Sequence, residues 1–164
     1  MKIPWIKRSS LGLWTEIPLF EELNRREQQE VNAVLQHKDY KKGELVFQQG
    51  NPGTGLFVVM MGSVDVQQDD DGTILHLVSA KPGEFIGELA LLDDFPRTAS
   101  AIAVDETSVV ALYRTDLLAL SEGHPRLGVK ILMQLSQIVA ERLRRANRAL
   151  KEARLIADTA KEKA

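Results

Sequence analysis

Between Gly43 and Tyr113 the chain is a succession of short β-type runs, ELVFQQ, LFVVMM, SVDVQQ, TILHLVS, TASAIAV and TSVVALY, broken by glycine and proline. This feature restricts the fold more than any other. Gly50, Gly53, Gly55, Gly62, Gly72 and Gly83, with Pro52 and Pro82, stand at the breaks, and Asp71-Gly72 is a hairpin-turn signal. A single hairpin is not stable by itself, so many short strands at close spacing must pack as a sandwich or barrel. The most economical arrangement is a β jelly roll, a double-stranded β-helix barrel.

Helical patterns flank this region. From Leu19 to Gln36 the apolar positions Leu23, Val31, Val34 and Leu35 sit among charges, and Asn24 followed by Glu27 suits a capping box. Beyond Arg114 the strand signals stop, and Thr115 is placed to cap a short helix through about Ser121. Gly123-His124-Pro125 then resets the chain. Proline suits a first helical turn, and neither glycine nor proline follows Gly128, which predicts one long helix from Pro125 to Thr159. Val139, Leu143, Ala146, Leu150, Ala153, Ala157 and Ala160 alternate by four and three, a heptad seam. It suits either self-association or packing on the chain's own barrel.

The 164 residues carry 21 basic and 23 acidic side chains, a formal charge of −2, with 44% hydrophobic and 27% charged content. That amount of apolar material supports one domain with an appendage. The expected division is an N-terminal arm at 1–15, holding Trp5 and Trp14, a β-roll with its helical lead-in at 16–124, and a long C-terminal helix at 125–164. The chain has no cysteine, which excludes disulfides, thiolate nucleophiles and Cys-ligated metals and leaves the cytoplasm as the expected compartment. No apolar stretch approaches the ~20 residues needed to span a bilayer, and the N-terminus lacks a signal-peptide core, so no membrane partner is expected.

The segment KPGEFIGELALLDDFPRTASAIA, from Lys81 to Ala103, interrupts the β pattern and carries the chemistry. Phe85-Ile86 reads as strand, and Gly87-Glu88-Leu89-Ala90-Leu91-Leu92 as one helical turn. A glycine at such a junction lets a ligand approach the backbone, and first-turn N–H groups suit an anion. Arg97, held next to Pro96, can fork onto two phosphate oxygens, Thr98 adds a hydroxyl, and Ala99 leaves room. Glu88 is unfavourable beside an anion unless it accepts hydrogen bonds, for instance from a sugar hydroxyl. A ligand with one phosphate and a ribose satisfies both demands. An ion pair between Glu88 and Arg97 that merely stabilises a loop is the competing reading.

These residues resemble the phosphate-binding cassette of the cyclic nucleotide-binding domain family, whose pattern runs F-G-E-x-A-L-L, a short gap, then P-R-T/S/A-A. Phe85 is followed by Ile86 before Gly87, and Gly87, Glu88, Ala90, Leu91, Pro96, Arg97, Thr98 and Ala99 fall in place. The resemblance extends over KKGELVFQQGNPGTGLFVVMMGSVDV and ILMQLSQIVAERLRRAN, covering roughly residues 19 to 150. It implies a ligand, cyclic AMP or cyclic GMP, and no cofactor. It also implies that the backbone at Gly87, Leu89 and Ala90 meets the cyclic phosphate and ribose, that Glu88 accepts from the ribose 2′-hydroxyl, and that Arg97 pairs with the phosphate. Thr98 and Ala99 would complete the phosphate contacts, and Leu77 and Val78 would wall the base. The C-terminal helix would act as a lid, with Leu143, Ala146 and Asn147 as its contacts.

An enzyme is not expected. His37, His76 and His124 are scattered with no metal-ligand spacing, no Gly-x-Ser-x-Gly elbow occurs, and Asp93 and Asp94 lack an acid–base partner. The basic run Arg142, Arg144, Arg145, Arg148, Lys151 and Arg154 has the look of a solvated helix face, so nucleic acid is not an expected partner. The expected function is a regulatory sensor that relays cyclic-nucleotide binding through its C-terminal helix to a twin subunit or another protein. The alternative is a scaffold or dimerisation domain that keeps the fold without binding nucleotide.

Overall fold

A computed structural model describes residues 17–162; the expected arm at 1–15, with Trp5 and Trp14, lies outside them. The lead-in helix α1, Arg25–Val34, starts on the anticipated capping box, with Asn24 accepting from the Glu27 N–H at 3.0 Å and Glu27 accepting from the Asn24 N–H at 2.9 Å. Eight strands follow: β1 Gln36–Tyr40, β2 Leu45–Phe47, β3 Gly55–Met61, β4 Val64–Asp70, β5 Thr73–Ala80, β6 Phe85–Ile86, β7 Ser100–Ala103 and β8 Thr107–Tyr113. A 3-10 turn, Glu88–Leu91, separates β6 from β7, and helices α2, Arg114–Gly123, and α3, Pro125–Glu162, end the chain.

The strands form two four-stranded antiparallel sheets, ordered β1-β8-β3-β6 and β2-β7-β4-β5. This is the expected jelly roll. Strands β3 and β8 of the first sheet are buried on both faces, which explains why LFVV and VVAL read as unbroken apolar runs rather than alternating ones. Leu56, Val58, Val110 and Leu112 point outward into a cluster with Leu117, Leu120, Leu127, Ile131 and Leu135 of the helices. Their neighbours Phe57, Val59, Val109 and Ala111 point inward against Val46, Val64, Ala80 and Ala101 of the second sheet. The Asp71-Gly72 turn joins β4 to β5 with φ of +49° and +88°, as a two-residue hairpin with both central residues left-handed requires.

One strand lies outside the expected runs, and one expected cap is corrected. β1, sequence QHKDY, is too polar to signal a strand; it is ordered by antiparallel pairing with β8, from Gln36 opposite Ala111 to Tyr40 opposite Thr107. Thr115 does not cap α2. Strand β8 runs directly into that helix, so extended Tyr113 holds the cap position without a side-chain bond and Thr115 falls inside the first turn. The long helix is present, 38 residues from Pro125 to Glu162. Its first half packs on the core, whereas every described side chain from Arg142 to Thr159 is exposed. Of the heptad seam, Val139 packs against the core, Leu143 and Leu150 are exposed, and the Ala160 side chain lies outside what is described.

Candidate functional site

The site is built where the β pattern breaks. Strand β6 is two residues long and pairs only with β3, Phe57 opposite Ile86 and Val58 opposite Phe85. Gly87 then takes φ +75°, a left-handed conformation that turns the chain off the sheet into the 3-10 turn. A Cβ on Gly87 would stand 2.5 Å from Arg97 Nη1 and 3.2 Å from the Phe47 ring. A side chain at 87 would therefore force the Arg97 guanidinium to shift and would strain the left-handed backbone.

Arg97 is brought back by a backbone lock: its N–H donates to the Asn51 carbonyl at 2.8 Å, and its own carbonyl accepts from the Gly50 N–H at 2.8 Å. The residue is only 8% exposed. Nη2 donates to the Gly55 carbonyl at 2.6 Å and Nη1 to the Gly87 carbonyl at 3.0 Å. The guanidinium lies 4.1 Å from the centre of the Phe47 ring and 5.8 Å from that of Phe57, so two aromatic faces hold the cation. Nε is buried without a hydrogen-bond partner among the described residues. Burial pushes the guanidinium pKa down from its ordinary value, and the Glu88 charge opposes that shift. A buried cation held by two carbonyls and two rings, with its Nε unpaired, has the chemistry of an anion receptor.

Glu88 is also buried, and it does not pair with Arg97. Its Oε1 meets Nη1 of Arg142, from α3, at 2.5 Å. The same guanidinium donates to the Phe85 carbonyl at 3.3 Å and stacks on the Phe85 ring at 4.9 Å. The long helix is thus tied to the cassette through Arg142, a residue that the sequence reading placed on a solvated basic face. The outer loop of the cassette is anchored separately, by an ion pair between Asp94 and Arg114 at the start of α2.

Phe47, Phe85, Glu88, Arg97 and Arg142 line one cavity of about 870 Å³. Gly87, Glu88, Leu89, Ala90, Arg97, Thr98 and Ala99 all border it, as do Leu77 and Val78 of β5. Leu143, Ala146 and Asn147 do not: they are exposed and fall outside the lining, and the helix contributes Gln134, Gln137, Ile138, Glu141, Arg142 and Arg145 instead. Those positions recur every three or four residues, so they share one helix face, and that spacing was the signal for them in the sequence. Phe47, which supports Arg97, carried no such local signal. No group of side chains fit to hold a metal ion occurs among the described residues.

The family model of the cyclic nucleotide-binding domain matches residues 37–124. The chain is 36% identical over 131 residues to the cyclic AMP receptor protein of Thermus thermophilus, covering 79% of this chain and 59% of that one. It therefore spans less than two thirds of that relative's length. Among solved structures, a cyclic nucleotide-binding domain from Methylobacillus flagellatus superposes with a TM-score of 0.76 at 28% identity, over 87% of this chain and 81% of that one. The N-terminal domain of a transcriptional regulator from Streptomyces coelicolor does so with a TM-score of 0.71 at 33% identity, over 84% and 94%. With that match running from β1 to the residue before α3 and taking in the whole cassette, the chain belongs to the cyclic nucleotide-binding domain family.

Proposed function

We propose that this chain is a cytoplasmic, non-catalytic sensor that binds cyclic AMP in the cavity behind the cassette and relays binding through α3. The observation that carries this reading is Arg97, a buried cation with an unused Nε beside the left-handed Gly87. A cyclic phosphate seated there would be paired by the guanidinium and by backbone N–H groups from Gly87 to Ala90, with Thr98 and Ala99 beside it. The buried Glu88 carboxylate would accept from the ribose 2′-hydroxyl, and Leu77 and Val78 would face the base. Adenine is favoured over guanine because relatives at 36% and 33% identity are named as a cyclic AMP receptor protein and a cAMP-dependent protein kinase regulatory subunit. In this reading residues 16–124 are the binding unit and 125–164 the output helix, and that helix meets a second copy of the chain or another protein.

The relay follows from Arg142. A ribose that engages Glu88 changes what Arg142 must pair with, and Arg142 is rooted in α3. The ligand shifts the helix only by its preference for one of the two arrangements.

Calorimetric titration with cyclic AMP and cyclic GMP, alongside Arg97→Ala checked for folding, tests the proposal. Wild-type binding is expected at micromolar affinity or tighter. Loss of the charged fork removes about 1.5 to 3 kcal/mol, and more if the phosphate is left unpaired, so the variant is expected to bind about 10- to 1000-fold more weakly. One observation favours the scaffold reading: Glu88 is already paired with Arg142. No heat with either nucleotide, in folded and ligand-free protein, would establish that alternative.

A further inference from the structure

The β4–β5 hairpin is irregular at one point. Val66 lies opposite Val78, and the next pair is Gln67 opposite His76, so Leu77 is left without a partner in a β-bulge. Cross-strand partners share a face. Val66, Val78 and Ala80 border the cavity, so the alternating pairs Asp65–Ser79 and Gln67–His76 belong to the outer face. In a regular strand His76 and Ser79, three apart, would point to opposite sides. The bulge is what brings them together.

On that outer face the two residues and Asp65 form a clasp. Ser79 Oγ donates to Asp65 Oδ1 at 2.6 Å, and His76 Nε2 lies 3.0 Å from Ser79 Oγ and 3.5 Å from Asp65 Oδ1. A hydroxyl has one hydrogen, which here goes to the carboxylate, so Nε2 carries the hydrogen of the second bond and donates it to Oγ. The chain of donors runs in one direction, from imidazole to hydroxyl to carboxylate. It bridges both strands across the irregularity.

We infer that the His76–Ser79–Asp65 clasp is a positioning device that locks the bulge and thereby sets which side chain faces the cavity. Without the bulge Gln67 would oppose Leu77 and Gln68 would oppose His76, and the imidazole would take the cavity side in place of the Leu77 side chain. The clasp thus keeps the β5 wall apolar, made of Leu77 and Val78, so that it selects a ligand by contact with a flat ring and not by hydrogen bonding. This rests on the reading of the cavity as a cyclic-nucleotide site. Being exposed, the three side chains add little to global stability; their effect is on register.

The test compares Ser79→Ala with Ser79→Thr, which keeps the hydroxyl in a residue suited to strands. In ligand-free protein, amide hydrogen exchange at Leu77 and Val78 is expected to quicken about tenfold or more in Ser79→Ala and to stay at the wild-type rate in Ser79→Thr. In calorimetry, Ser79→Ala is expected to weaken cyclic AMP about 5- to 10-fold while changing cyclic CMP, with its smaller ring on the same ribose phosphate, less than about twofold. Unchanged exchange in Ser79→Ala would overturn the clasp whatever the ligand does. Equal losses for both nucleotides would overturn its role at the base wall. A wild-type chain that binds neither nucleotide would sink the reading of the site and the base-wall role with it, while the exchange arm still decides whether the clasp holds the bulge.

Discussion

Arg97 and Gly87 depend on each other at the scale of single residues. The arginine lies where a side chain at position 87 would displace it, and the φ of +75° is costly for any residue with a Cβ. Gly87→Ala is expected to lose about 1 to 2 kcal/mol from the left-handed backbone alone, which lowers the melting temperature by about 2 to 8 °C. Because the new methyl would stand 2.5 Å from Nη1 and displace it, cyclic AMP affinity should fall at least about tenfold as well. A melting curve and a titration that both match wild type would refute this dependence. Residues of this kind were legible in the sequence, since the glycine, the arginine and the carboxylate fall within one short stretch whose chemistry is read locally. Arg142 was not, because its role exists only after α3 folds back against β6. The Leu77 wall was half legible: its place beside the cavity was expected, but the unpaired position that puts it there depends on the register of two strands.

Among the elements, α1 and α3 are joined by one charge pair. Lys130 Nζ donates to both carboxylate oxygens of Glu27, at 2.8 and 2.9 Å, and the same carboxylate closes the capping box of α1. Desolvation pushes the Glu27 carboxyl up, but the Lys130 ammonium and the Asn24 N–H outweigh it and hold the group below its ordinary pKa of 4.5. A carboxyl depressed by folding stabilises the protein above that ordinary value, and the gain disappears as pH falls through the folded pKa. The pair is partly exposed, so its worth is under about 1 kcal/mol. Glu27→Gln should therefore unfold at lower urea than wild type at neutral pH, with the two midpoints converging in acid below pH 4.5. A gap that persists unchanged in acid would contradict the assignment. The capping box and the long helix were legible because short-range spacing and the lack of breakers determine them. β1 escaped because a polar edge strand is ordered by its partner, not by its own pattern, and α2 was mis-capped because a strand leading directly into a helix leaves the threonine no cap position to fill.

In the whole molecule, the jelly roll was legible from the glycine-punctuated runs, whereas the two-faced burial of β3 and β8 required the helices to be in place. The outer half of α3 carries Leu143 and Leu150 exposed, 60% and 52%, at heptad spacing. If a second copy covers that seam, Leu143→Glu with Leu150→Glu is expected to convert a dimer to a monomer in sedimentation at micromolar concentration while the near-ultraviolet signal of the core is retained. A wild-type chain that sediments as a monomer would assign the seam to a different protein. The ion pair between Arg142 and Glu88 lies where packing on the roll ends and the exposed stretch begins. From there the described helix runs on to Glu162 for about 30 Å at 1.5 Å per residue. In the proposed relay such a rod would be a mechanical pointer hinged at the cavity: each degree of tilt at Arg142 would move its far end by about half an ångström over that length, so a change at one carboxylate would be magnified into a displacement large enough for another molecule to read.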